Sequence, residues 1–171
     1  RVYTTLMKGH RHLKIMKPVE ADATPEETKA SQFGQQFKSI WVEAMRDDFN
    51  TAKSLGYMFE YVRLVNAIVD AKKFRASATT KEVLTRFVEQ LSQFSKVFNL
   101  FGENCEDYLK TLKKRVLDLR GLTEKEILSA IEARSDARKK RDFALADSIR
   151  SDLQKKGVLL QDLTAGTEWD V

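Results

Sequence analysis

The scarcity of turn-forming residues constrains the fold of this chain more than any other feature of its sequence. Among 171 residues there are seven glycines and two prolines, and both prolines lie within the first 25 positions. Strands and tight turns depend on such residues, whereas helix interiors exclude them. Hydrophobic residues make up 42% of the chain, which is enough for a buried core. We therefore predict a mainly α protein of one domain or two small ones.

Amphipathic periodicity predicts an antiparallel helical bundle in residues 31–108. Apolar side chains recur there at spacings of three and four in three stretches, the period of one helix face. The first helix is expected to begin near Ser31 and the third near Thr79–Thr80. Asn50 or Thr51 is expected to cap the helix between them.

The remaining segments of the first part are predicted to be less regular. Residues 1–7 resemble the end of a helix, so we expect the chain to be a piece of a longer protein. The polar residues 8–30 are predicted to form a linker. Residues 109–121 are predicted to be a connector with partial helical structure.

A small α+β unit is predicted for residues 122–171, with two helices and a short β-hairpin. Thr123 and Glu126 have the spacing of a capping box, and Asp142 is placed to cap the second helix. Gly157 can end that helix in a left-handed conformation, and the apolar residues after it predict a strand. A hairpin alone is marginally stable, so it should pack with these helices.

The excess positive charge of the chain is concentrated in residues 113–156. This segment holds thirteen Lys or Arg and eight Asp or Glu, whereas the rest of the chain holds 17 of each. Such asymmetry is typical either of a protein with a polyanionic partner or of a solvated lysine-rich face.

The densest basic cluster is expected where the two helices of the small unit meet. Its members are Arg134, Arg138, Lys139, Lys140 and Arg141. The first two are four residues apart, so their guanidinium groups lie on one helix face. Guanidinium groups suit both phosphates and the Hoogsteen edge of guanine. We therefore regard the cluster as a candidate nucleic-acid site.

Two residues beside the cluster add a different chemistry. Phe143 can stack on an unpaired base, and Asp147 can accept hydrogen bonds from base amino and imino groups, which phosphates do not offer. The alternative is an Arg138–Asp147 ion pair that serves the structure of the hairpin alone.

The sequence shows no arrangement that predicts catalysis within this chain. No nucleophile is paired with a base, and there is no glycine-rich phosphate loop or Cys/His cluster, so we expect no cofactor or metal. Asp47–Asp48 is interpreted as a charge complement to a helix dipole. The single Cys105 excludes a disulfide framework and indicates a reducing compartment. No apolar run approaches the roughly 18 residues of a membrane span, so we expect a cytoplasmic location.

Three stretches together resemble one family, the bacterial cysteinyl-tRNA synthetases. They are AMRDDFNTAKSLGYMFEYVRLVN, ARKKRDFALADSIRSDLQKKGVLLQD and the terminal GTEW. The first resembles the helical-bundle signature of the family, the second its C-terminal anticodon-recognition appendage, and the third its terminal Gly-Thr-x-Trp. Their order and rough spacing also match, and the resemblance covers residues 33–169.

The resemblance implies a fragment of a class I synthetase. The parent enzyme would activate cysteine with ATP and esterify it to cysteine tRNA, using a catalytic domain with zinc and Mg that this chain does not contain. The fragment itself would be non-catalytic and monomeric. Its partners would be cysteine tRNA and the catalytic domain, with the bundle along the anticodon stem and the appendage reading the GCA anticodon.

The resemblance also implies roles for individual residues. Arg138, Asp147 and Asp162 match family positions that contact anticodon bases, and Phe143 replaces a frequent tryptophan. The basic residues Arg134, Lys139, Lys140 and Arg141 would then contact tRNA phosphates. The sequence at Leu163–Ala165 departs from the family's usual Gly-Pro-Gln, and Arg46 replaces the first of three acidic residues.

Two other families share parts of the pattern. The segment KRDFALADSIRSDLQKK also resembles the helical hairpin of UvrB/UvrC-type protein–protein interaction modules. That motif explains neither DDFNT nor the terminal Gly-Thr-x-Trp. Mycothiol-pathway cysteine ligases share the synthetases' ancestry but lack the appendage, so residues 122–169 count against them.

Overall fold

The computed structural model describes residues 1–71, 73–163 and 166–171, with all side chains among them except that of Leu163. Within these residues the elements are α1 Val2–Ile15, α2 Pro25–Arg46, α3 Thr51–Val69, α4 Ala78–Phe98, α5 Cys105–Leu119, α6 Glu124–Lys139, α7 Phe143–Lys155, β1 Leu159–Leu163 and β2 Gly166–Asp170. The chain divides into two compact units, Arg1–Tyr108 and Leu109–Val171. The predicted mainly α fold with one short β-hairpin is confirmed.

The first unit packs α1 to α4 around an aromatic core. Phe37, Tyr61, Phe87 and Phe94 have at most 1% of their surface exposed, and the rings of the first two lie 5.0 Å apart. Aromatic rings bury large areas and pack edge-to-face or tilted, which fixes the spacing of the helices that carry them. These four aromatic residues are therefore core residues.

Buried Glu27 connects the beginning of α2 to the beginning of α4. Its carboxylate accepts hydrogen bonds from the Thr24 backbone N–H at 2.7 Å, from Ser77 Oγ at 2.8 Å and from Thr80 Oγ1. Burial by itself raises the pKa of Glu27, but these hydrogen bonds outweigh it and hold the pKa below its ordinary value. An ionised carboxylate can therefore remain inside this unit.

Helix α1 is longer than the sequence predicted, since it continues to Ile15 through the segment interpreted as a linker. The additional turns are stabilised by contacts with distant residues. Lys8 forms an ion pair with Asp70, and the His12 ring stacks on Phe74 with 3.7 Å between ring centroids. Such tertiary partners are not visible in the local sequence, which is mostly polar.

Helix α2 also begins earlier than predicted, at Pro25 and not near Ser31. Thr24 caps it in a capping box with Glu27, and proline occupies the first helical position, where its missing N–H costs nothing. The signal was present in the sequence as Thr-Pro-Glu-Glu. The surrounding residues are polar, so apolar periodicity does not mark the first turns of this helix.

The predicted connector at residues 109–121 is mostly helical, because α5 covers Cys105–Leu119. Asn104 starts this helix by accepting a hydrogen bond from the Glu106 backbone N–H at 2.9 Å. The segment is rich in leucine and lysine, both good helix formers. The prediction of a less regular connector rests on the high charge of the segment, and its helix propensity outweighs that signal.

The remaining predicted helix signals are confirmed. Asn50 caps α3, Thr123 and Glu126 form a capping box on α6, and Asp142 caps α7. Gly157 follows α7 with a φ of 80°, a left-handed conformation that glycine adopts without steric cost.

The second unit has its own small core beneath the hairpin. Its buried members are Leu117, Leu122, Ile127, Leu153 and Val158. Trp169 of β2 packs against them. Lys113 lies over the Trp169 ring, with Nζ 3.3 Å from the centroid, and donates to its carbonyl oxygen at 2.9 Å. The hairpin is therefore held by a helix as well as by its own pairing.

No helix in the described part of the chain combines the length and hydrophobicity needed to cross a bilayer.

The close approach of α2 and α3 at Gly34 predicts opposite effects for two glycine substitutions. A Cβ at residue 34 would lie 3.1 Å from Tyr61 Cζ and nearer still to its hydroxyl, and that ring is buried. We expect Gly34→Ala to destabilise the first unit by about 1–3 kcal/mol. Gly56→Ala meets nothing within 4 Å and should stabilise it by about 0.4–1 kcal/mol. Denaturation followed by Trp41 fluorescence, in a Trp169→Phe background, measures both; equal effects of the two substitutions would contradict the packing argument.

Candidate nucleic-acid interface

The basic cluster lies around the turn between α6 and α7. Helix α6 ends at Lys139, and the turn that follows consists of Lys140 and Arg141. Asp142 caps the beginning of α7 by accepting a hydrogen bond from the Leu145 backbone N–H at 3.0 Å. Cations at a helix C-terminus are favoured by the helix dipole, so this location also suits the local structure. Arg141 has a φ of 62°, which places a non-glycine residue in the left-handed region.

Arg134 is buried, unlike the rest of the cluster, with 4% of its surface exposed. Its two terminal nitrogens donate to the two carboxylate oxygens of Asp162, Nη1 to Oδ1 at 2.8 Å and Nη2 to Oδ2 at 2.9 Å. This bidentate pair joins α6 to β1. The placement differs from the phosphate contact that we expected for Arg134, because phosphates approach from solvent and the guanidinium is enclosed.

Two further groups complete the surroundings of the Asp162 carboxylate. Arg138 Nη1 donates to Oδ2 at 3.1 Å, and Thr167 Oγ1, opposite Asp162 in the β1–β2 register, donates to Oδ1 at 2.9 Å. A carboxylate has about four acceptor positions, and four donors occupy them here. The carboxylate is therefore fixed in orientation although its side chain is 36% exposed.

The electrostatics of the site follow from this arrangement. Hydrogen bonds from Arg134 and then Thr167, together with the charges of Arg134 and Arg138, hold the pKa of Asp162 well below its usual range. The hydrogen bond to Asp162 and, to a smaller extent, the negative charge of Asp147 raise the pKa of Arg134. Both carboxylates therefore act on the same buried guanidinium.

Arg138 forms its ion pair with Asp162 and not with Asp147, the partner considered in the structural alternative. Its side chain is 50% exposed, and one of its five N–H groups donates to Asp162, so the guanidinium can also contact a ligand. Asp147 and Phe143 are exposed residues of the first two turns of α7, and Phe143 has 60% of its surface exposed. A base-sized ligand would find a cation, a carboxylate and an aromatic ring on this unit.

The remaining basic residues are accessible to solvent. Lys139, Lys140 and Arg141 are all exposed, and Lys139 forms a surface ion pair with Asp136 at 3.0 Å. Exposed pairs of this kind contribute little to stability, so that pair does not prevent Lys139 from contacting a phosphate.

The Arg134–Asp162 pair is the part of the site that sequence reasoning missed. The spacing of Arg134 and Arg138 correctly placed both on one helix face, but it did not indicate which strand residue faces them. That depends on how the hairpin packs against α6, which no local pattern encodes. The sequence at residues 163–165 differs from the family's usual Gly-Pro-Gln. Thr164, Ala165 and the side chain of Leu163 lie outside the part of the chain that the structure describes.

Metal binding has no support in the described ranges. Within them, no three His, Cys, Asp or Glu side chains gather in a way that would hold an ion. Around the basic cluster the second unit presents a mixed surface of cations, exposed carboxylates that include Asp147, and the exposed ring of Phe143.

Comparison with known proteins identifies the class of the first unit. Residues 41–102 match the model of the DALR domain, a stretch that begins in α2 and ends after α4.

Matches along the whole length identify the family. The cysteine–tRNA ligase of Oleidesulfovibrio alaskensis is 33% identical over 171 residues, which is all of this chain and 35% of that protein. The cysteine–tRNA ligase of Thermodesulfovibrio yellowstonii is 34% identical over 173 residues, again all of this chain and 34% of that protein. That of Syntrophotalea carbinolica is 35% identical over 86% of this chain. The chain belongs to the cysteine–tRNA ligase family and corresponds to the C-terminal part of its members, spanning about a third of the length of these curated relatives.

The enclosed ion pair predicts that Asp162→Asn destabilises the second unit by about 1–3 kcal/mol, because buried Arg134 loses its charged partner. The partial exposure of Asp162 keeps the effect below that of a fully buried pair. Asp152→Asn, which removes an exposed carboxylate of α7, should change stability by less than about 0.5 kcal/mol. The free energy of unfolding of each variant is measured by denaturation followed by Trp169 fluorescence, in a Trp41→Phe background.

The same pair predicts how this difference depends on pH. The pKa of Asp162 is lower in the folded chain than in the unfolded chain, where it is about 3.9. The stabilisation is therefore complete above about pH 5 and is lost as pH falls through the unfolded pKa toward the folded one. The stability difference between the native chain and Asp162→Asn should narrow below about pH 4; a difference that stays constant to pH 2 would contradict the assignment.

Proposed function

We propose that this chain is the tRNA-binding C-terminal region of a cysteine–tRNA ligase and that it recognises the anticodon stem-loop of cysteine tRNA. The observation that carries the proposal is the site on the second unit, where Arg138, Asp147 and Phe143 are exposed beside an uninterrupted run of cations. A surface for phosphates alone would not need an exposed carboxylate, since that charge repels the nucleic-acid backbone. A carboxylate on a basic surface suits the amino and imino groups of bases.

The residues divide into two roles. Arg138, Asp147 and Phe143 form the base-reading group, in which splayed anticodon bases meet hydrogen-bonding edges and an aromatic face. Asp162, whose acceptor positions are occupied within the chain, belongs to this group through the Arg138 guanidinium to which it is bonded. Their target would be the GCA anticodon. The second role belongs to exposed cations that attract and position the backbone without reading sequence, namely Lys139, Lys140 and Arg141.

The first unit has a supporting role in this proposal. It carries the DALR domain, and in the family resemblance the bundle packs along the anticodon stem. A helical unit with a large aromatic core is suited to lie against a stem without changing its own shape.

Catalysis belongs to the part of the enzyme outside this chain. The parent would use ATP to activate cysteine, with zinc and Mg in its catalytic domain, and would act in the cytoplasm. That domain would be the protein partner of this chain, which by itself would be monomeric and non-catalytic. The chain's own residues contribute binding of the tRNA, and the sequence shows no nucleophile paired with a base among them.

A protein–protein module of the UvrB/UvrC type fits less of the chain. The α6–α7 hairpin alone resembles that motif, whereas the similarity to cysteine–tRNA ligases extends over both units and includes the DALR domain.

Binding to cysteine tRNA transcripts tests the proposal directly. The 171-residue chain would be titrated with transcripts carrying the GCA anticodon or a single change in each of its bases, at two salt concentrations. We expect each base change to weaken binding by about 1–3 kcal/mol. Higher salt should weaken the binding of all transcripts to the same extent. Equal binding of every transcript would reduce the site to a nonspecific phosphate surface, and absence of binding would overturn the proposal.

The two roles predict separable effects of single substitutions. Asp147→Asn should reduce the preference for the GCA transcript and leave the salt dependence unchanged, because it alters a base contact. Lys140→Gln should weaken binding of all transcripts alike and lower the slope of log K against log salt by about 1. Asp152→Asn, on the same helix as Asp147, is the matched control and should change neither. If Asp147→Asn and Lys140→Gln have the same effect, the division of roles is wrong.

A further inference from the structure

We propose that Arg134 is a positioning residue for anticodon reading: it fixes the Asp162 carboxylate, and through it the Arg138 guanidinium, in the geometry that a base meets. The inference rests on the proposed function and deepens it. It assigns a role in base selectivity to an arginine that no ligand can reach in this structure.

The burial of Arg134 excludes a direct contact in this structure. With 4% of the residue exposed and both terminal nitrogens donating to Asp162, almost none of the guanidinium is accessible to a ligand in solvent. Its Nε is also buried and has no hydrogen-bond partner among the described residues. A buried ion pair with an unsatisfied donor is a poor means of stabilising a fold, since a well-packed apolar side chain often does as well or better. What the pair supplies is a defined position.

The four hydrogen bonds to Asp162 show how position is transmitted. The two from enclosed Arg134 are short, at 2.8 and 2.9 Å, and fix the plane of the carboxylate as a bidentate pair does. The one from half-exposed Arg138 is longer, at 3.1 Å, and uses a single nitrogen. Arg138 is therefore oriented by a carboxylate that is itself held from the interior.

The geometry of the guanidinium is essential to this role. Lysine at residue 134 would retain the positive charge, but an ammonium is a point charge that cannot bind both carboxylate oxygens in one plane. Arg134→Lys therefore separates charge from orientation. An exposed arginine of the same unit, Arg115, provides a matched control in Arg115→Lys.

The test compares the native chain, Arg134→Lys and Arg115→Lys with GCA and changed-anticodon transcripts at two salt concentrations. We expect Arg134→Lys to reduce the ratio of affinities between GCA and changed transcripts by about tenfold, the scale of one base contact. The affinity of Arg134→Lys for changed transcripts and the salt dependence of its binding should match those of the native chain. Arg115→Lys should match the native chain in selectivity, affinity and salt dependence. Full selectivity in Arg134→Lys would overturn the proposal, and so would an equal loss of affinity for every transcript, which would indicate a phosphate contact.

A second variant addresses failure to fold. Thr167→Val removes the hydrogen bond to Asp162 Oδ1 at the strand side without altering the buried arginine. We expect a smaller loss of selectivity of the same kind, with binding to changed transcripts retained. If Arg134→Lys does not fold and Thr167→Val keeps full selectivity, the proposal is overturned.

A measurement without tRNA separates this inference from the proposed function. If the native chain shows no anticodon preference, the proposed function fails, but a carboxyl ¹³C NMR titration still tests the positioning. We expect the pKa of Asp162 to rise in Arg134→Lys toward its ordinary value and to stay unchanged in Arg115→Lys. An unchanged pKa in Arg134→Lys would show that the bidentate pair does not hold the carboxylate.

Discussion

The ion pair between Arg134 and Asp162 is the interaction on which the geometry of the second unit's surface depends. It joins a helix to a two-stranded hairpin that would be marginal alone, and it does so with a planar, bidentate contact. Arg134 is buried and Asp162 is partly exposed, so a side chain held in the interior fixes the orientation of a carboxylate at the surface. The exposed Arg138 then takes its orientation from a rigid neighbour.

The first unit also contains a carboxylate that is fixed by several hydrogen bonds, but there it serves the structure alone. Glu27 is enclosed and fully engaged by Thr24, Ser77 and Thr80, so it joins two helix beginnings and presents nothing to solvent. Both carboxylates have lowered pKa values because hydrogen bonds outweigh burial. The difference lies in the hydrogen bonds, since Asp162 accepts one from the exposed guanidinium of Arg138, whereas the three donors to Glu27 are a backbone N–H and two hydroxyl groups.

Sequence reasoning located what is encoded locally and missed what is encoded by packing. The caps at Asn50, Thr123 and Asp142 and the left-handed Gly157 follow from short-range chemistry, and the motifs placed the basic cluster correctly. The length of α1 depends on partners more than fifty residues away, which no periodicity reveals. For the same reason the burial of Arg134 does not follow from the local sequence, although its spacing from Arg138 correctly predicts that both lie on one helix face.

The turn between α6 and α7 shows a conflict between folding and charge. Arg141 holds a left-handed backbone conformation that costs a side-chain-bearing residue about 1–2 kcal/mol and glycine almost nothing. Selection for thermal stability alone would favour glycine at this position, and the surface would lose one of its exposed cations. The arginine therefore marks a place where this unit is less stable than its fold permits, and a heat-adapted version of the chain would have to recover that cation elsewhere on the surface.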